Sequence, residues 1–122
     1  MGAASVDPAA ADETYKLVIK KTLQNGDSFD DNRIDVGDRD FTVTDVYGTS
    51  TGGYSIKFRN AGGRDMSSAE MSNANAVGTA QFPVPFGSVT YGALSQISFA
   101  ITNLLAGVNT IELILSGIRH AQ

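Results

Sequence analysis

A chain of 122 residues has room for one domain and one core, burying roughly two thirds of the surface its unfolded form would expose. With 42% apolar and 18% charged residues the composition is that of a globular protein, which excludes disorder throughout. A net charge of -4 disfavours nonspecific attachment to nucleic acid or anionic lipid, and the absence of Cys removes disulfides, thiolate metal sites and thiol nucleophiles.

Residues 1–14 are small, Ala-rich and polar, contain nothing that fills a core, and are expected to form a flexible arm ahead of one domain over 15–122. Neither a signal peptide nor a membrane span is expected, since no basic start leads into an apolar run and no stretch of about 18 apolar residues occurs. Tyr15, Leu17 and Ile19 alternate with Lys16 and Lys20, the pattern of a strand with one buried face, and Asn25-Gly26-Asp27 turns the chain. Residues 27–40 hold six aspartates (27, 30, 31, 35, 38 and 40) and read as a polar loop with a short strand around Ile34 and Val36. Phe41, Val43 and Tyr47 alternate with Thr42 and Thr44, while Asp45, on the apolar side of that pattern, marks a strand end or bulge. Past Thr51-Gly52-Gly53, Tyr54, Ile56 and Phe58 alternate with Ser55, Lys57 and Arg59, giving one packed and one charged face.

Residues 61–80 are rich in Gly, Ser, Asn and Ala, with a helical turn expected over 67–71, where Ser67 and Glu70 have capping-box spacing. Phe82-Pro83-Val84-Pro85-Phe86 is extended and apolar; its prolines cannot donate to a ladder, which assigns it to a sheet edge or to another chain. Two strands close the chain, with Ile97, Phe99 and Ile101 on one face of the first and Ile111, Leu113 and Leu115 on one face of the second. Short strands with glycine-bearing turns predict an all-β fold: an antiparallel β-sandwich, jelly-roll-like, with a small barrel as the runner-up.

No constellation identifies a reaction, so the reading is of a non-enzyme with no catalytic, cofactor or metal residues. The aspartate run fails the EF-hand pattern, and Arg33 and Arg39 can neutralise it, which predicts a solvated or ion-paired loop in place of a calcium site. His120 is the third residue from the end and reads as an exposed tail residue. No Ser lies in a Gly-x-Ser-x-Gly elbow, and Gly62-Gly63-Arg64 lacks the strand-to-helix context of a phosphate loop. Tyr47, Tyr54 and Tyr91 could stack on a sugar beside the loop acids, which keeps a carbohydrate-binding β-sandwich module as the alternative function.

The charge distribution is the most informative feature. Residues 71–118 carry one formal charge, Glu112, whereas the first 70 residues hold twelve of the thirteen acids. Ser98, Ala100, Thr102 and Ile114 therefore form an expected uncharged outer face. Either the strands are packed on both faces within the domain, or that face meets another subunit. Together with Phe82, Pro83, Val84, Pro85 and Phe86, these residues are the candidate protein interface.

The 82–86 strip, the run from Gly92 into Ile97-Ser98-Phe99-Ala100-Ile101-Thr102-Asn103, and the run from Asn109 to Gly117 resemble the ending of small β-rich virion proteins of tailed bacteriophages. That group includes capsid decoration (cement) proteins and head or tail accessory proteins. The likeness covers about the last 40 residues and is one of rhythm. It implies a non-enzymatic protein of the virion, assembled in the host cytoplasm. Such a protein forms a homo-oligomer and binds a major capsid or tail protein, with no nucleic-acid or membrane partner and no cofactor.

Overall fold

The computed structural model describes residues 11–121. The described residues form eight strands: β1 (Glu13–Leu23), β2 (Ser28–Asp35), β3 (Phe41–Ser50), β4 (Tyr54–Phe58), β5 (Met71–Ser72), β6 (Val84–Tyr91), β7 (Gln96–Asn103) and β8 (Asn109–Arg119). One helical turn, α1 (Asn73–Ala76), lies between β5 and β6. The strands form two antiparallel four-stranded sheets, ordered β1-β8-β3-β6 and β2-β7-β4-β5. That order is the eight-stranded jelly roll, a β-sandwich in which strands pair across the roll, β4 with β5 being the one pair of chain neighbours among the described residues.

Alternation fixes which face is buried. Ile19 and Leu23 in β1, Tyr54, Ile56 and Phe58 in β4, and the expected triplets of β7 and β8 all point between the sheets, where the core is closed. Phe58 sits edge-on to Phe86 at 5.1 Å, and Tyr15 to Phe41 at 5.6 Å, in the T-shaped arrangement that aligns ring edge with ring face. Gly117 is buried where β8 passes β3, and a Cβ there would overlap the Thr42 carbonyl, so only Gly lets the strands approach.

Asp45 marks a real bulge: the register of β3 with both β6 and β8 slips between Val43 and Asp45. The extra residue reverses the parity of β3, turning Val46 inward and Tyr47 outward, so Tyr47 is not the core residue that unbroken alternation assigns. The polar loop expected over 27–40 is mostly strand, because β2 runs through Ser28–Asp35 with its own bulge between Phe29 and Asn32. The helical turn falls at Asn73–Ala76, not at 67–71; the Ser67 hydroxyl instead donates to the Ala69 carbonyl. At the start of the chain, β1 already includes Glu13 and Thr14, which shortens the expected arm; residues 1–10 lie outside the described residues.

Candidate protein interface

The topology sorts the connections by end. The links 24–27, 51–53, 73–83 and 104–108 meet at one end of the roll, and Asp27 is their one charged residue. At the other end lie 36–40, 59–70, 92–95 and both terminal segments, which carry Arg39, Arg59, Arg64, Arg119 and most of the nearby acids. The molecule therefore has an end that is uncharged apart from Asp27, termed the uncharged end, and a charged end.

The uncharged end is stiff. Asn109 is fully buried, and its amide donates to the Gly52 and Gly53 carbonyls at 3.0 Å while its Oδ1 accepts the Gly52 N–H. Asn103 joins from β7, donating to the Gln24 and Gly107 carbonyls and accepting the Leu105 N–H. A buried amide pair satisfied in this way locks three turns together. On that frame Leu104 and Val108 stand 60% and 52% exposed.

One side of the roll continues the uncharged surface. A cleft of about 590 Å³ is lined by Gly48, Ser50, Tyr54, Asn73, Val77 and Phe82 among others, and one of about 190 Å³ by Phe58, Met66, Met71, Ala76, Pro85 and Phe86 among others. Val84 lines both, and no residue lining either is charged. Phe82 is 74% exposed, held by a turn in which its N–H bonds the Thr79 carbonyl and hydroxyl and its own carbonyl accepts the Thr79 N–H. Gly78 permits that turn, since a Cβ there would overlap the Phe82 carbonyl.

The structure divides the expected interface residues. Phe82, Pro83 and Pro85 are exposed on the β6 edge and Val84 is half-buried between the clefts, but Phe86 points into the core. Ser98, Ala100 and Thr102 do not form an uncharged face, because the neighbouring strands supply the charges. Arg59 reaches from the end of β4 to the Ser98 hydroxyl and to the carboxylates of Asp30 and Asp65, and Lys57 pairs with Asp65 at 3.2 Å. Ala100, opposite Lys57, is fully buried. Ile114 belongs to the other sheet, in a row with Val18 and Tyr47. The sequence pattern misses Leu104, Val108, Met66 and Met71; the signal for the first two is an apolar turn, Leu104-Leu105-Ala106-Gly107-Val108, where polar residues are usual.

Asp30, Asp31 and Asp65 are engaged in ion pairs. Asp31 meets Arg33 at 3.0 Å and accepts the Ser98 hydroxyl, and these contacts, Arg33 first, hold its carboxyl below the ordinary value of 3.8. Asp65 is lowered chiefly by Lys57 and then by Arg59. No group of three His, Cys, Asp or Glu side chains is placed to hold a metal among the described residues. Tyr54 and Tyr91 are buried, with hydroxyl acidity pushed down by desolvation, and Tyr47 lies on the sheet opposite the β2 acids. Among the described residues, Tyr47, Tyr54 and Tyr91 do not share one surface with the β2 acids.

His120 is not a free tail residue: Nε2 lies 2.6 Å from the Thr42 hydroxyl and Nδ1 3.4 Å from the Asp12 carboxylate. The connectivity is that of nucleophile, base and orienting acid, but the group lies on the open outer face of the first sheet, and none of the three lines the clefts above. Its neighbour Arg39, 7% exposed, donates to the Ala11 and His120 carbonyls and to Glu13, which also pairs with Arg119. Together these contacts clasp the two terminal segments. No family model, curated protein or solved structure matches the chain.

Proposed function

We propose that the chain is a non-enzymatic structural protein of a bacteriophage virion, a decoration protein that binds an assembled shell through protein contacts. The uncharged end supports this reading most directly. Rigid exposed apolar side chains on a frame whose one charge is Asp27 are suited to burial against protein, because docking there takes few charges away from water. The jelly roll supports it by analogy, being an architecture used for shells as well as for lectins. In this arrangement Leu104 and Val108 face the shell, while the charged end, with both terminal segments, faces solvent and keeps the particle soluble.

Quantitative mass spectrometry of particles purified from the virus that encodes the chain tests the proposal. The chain is expected in fixed stoichiometry with the shell protein. Its absence from particles, with the protein recovered only in the soluble fraction, would refute the proposal.

A further inference from the structure

The geometry points to a two-fold dimer of this chain, in which Phe82 of each copy seats in the cleft between Met66, Met71 and Phe86 of the other. The inference stands on the shape and charge of the β6 side and does not require that the assembly be a virion. Size matches first: an apolar cavity of about 150 Å³ accepts a benzene ring, and this cleft holds about 190 Å³. Its floor is the Phe58–Phe86 ring pair and its rim is two methionines, 38% and 41% exposed, whose unbranched thioethers adapt to an incoming side chain.

The knob is presented in advance. The Thr79–Phe82 turn fixes an aromatic side chain away from its own core, so little ordering entropy is lost on docking. Knob and cleft are also adjacent, since Phe82 lies two residues from Val84, which lines the cleft. A two-fold axis passing between them lets each copy give and receive at once, the self-complementary form of an isologous contact. Neither cleft contains a charge, so seating Phe82 of a second copy there buries no acid in the pocket itself. Pro83 and Pro85 on the same edge block strand-to-strand pairing, so contact is made through side chains.

Light scattering across a wide concentration range, combined with cysteine crosslinking, tests the dimer. The wild type is expected to move from the 12.8 kDa chain mass to twice that value as concentration rises. Phe82→Asp should dissociate about 30-fold more readily, as the loss of an aromatic hot spot implies, with an unchanged unfolding midpoint at concentrations where both proteins are monomeric, since the ring is exposed there. The chain has no Cys, so mixing Phe82→Cys with Met71→Cys chains under oxidising conditions should give the mixed disulfide in excess over either homodisulfide. A monomer at every concentration, a closed species of three or more chains, or no preference for the mixed disulfide would each overturn the inference. A monomer that is still a stoichiometric part of particles would overturn the dimer alone and leave the proposed function standing.

Discussion

Gly117 shows how narrowly the sandwich is set at single residues. A Cβ there meets the backbone carbonyl of Thr42, which cannot move without breaking the β3 ladder, so Gly117→Ala is expected to cost more than about 3 kcal/mol in urea unfolding. Gly92 is the control, because a Cβ on it meets nothing within 4 Å and Gly92→Ala should change stability little. Titration acts at the same scale. Asp12, Glu13, Asp31 and Asp65 are all held below their ordinary values in the fold: Asp12 chiefly by the Ala121 N–H, Glu13 by Arg119, Asp31 by Arg33 and Asp65 by Lys57. Below the ordinary values the unfolded chain binds more protons than the folded one. Stability from these groups is therefore complete above 4.5 and is lost as pH falls through 3.8 toward the lowered values. Urea midpoints should be flat near neutrality and drop in acid, with Asp65→Asn removing part of the drop.

Among the elements, strand identity followed from period-2 alternation wherever one face is buried, as in β1, β4, β7 and β8. It failed at β2, where the inward positions are Phe29, Asn32 and Ile34 across a bulge, so no regular alternation marks the strand. It half-failed at β3, where Asp45 announced the bulge but not the reversal of Tyr47 that the bulge produces. The expectation of an uncharged face at Ser98, Ala100 and Thr102 failed for a related reason. Charge was read along one strand, whereas a sheet face is shared among neighbours, and Arg59 reaches across β7 to Asp30. Ala100→Arg is consequently expected to lower stability by about 1–3 kcal/mol through overpacking. The clasp belongs to this scale too. Arg39→Lys keeps the charge but loses the fork that holds both terminal segments. Hydrogen exchange should then quicken at the first residues of β1 and the last of β8, leaving β4 and β7 unaffected.

At the scale of the whole molecule, the uncharged second half of the sequence was a correct sign of an uneven surface, but the fold relocates it. Residues 73–83 and 104–108 come together with two earlier turns only because the jelly roll brings those four connections to one end, a result of strand order that spacing cannot give. In the proposed assembly, protein covers that end while the charged end stays in water. Hydroxyl-radical labelling of the free chain and of the purified particle tests it most directly, with Leu94, 84% exposed at the charged end, as the internal reference. Leu104 and Val108 should label readily in the free chain and be protected in the particle while Leu94 labels equally in both; equal labelling of all three in both states, or protection of Leu94 alone, would contradict the claim.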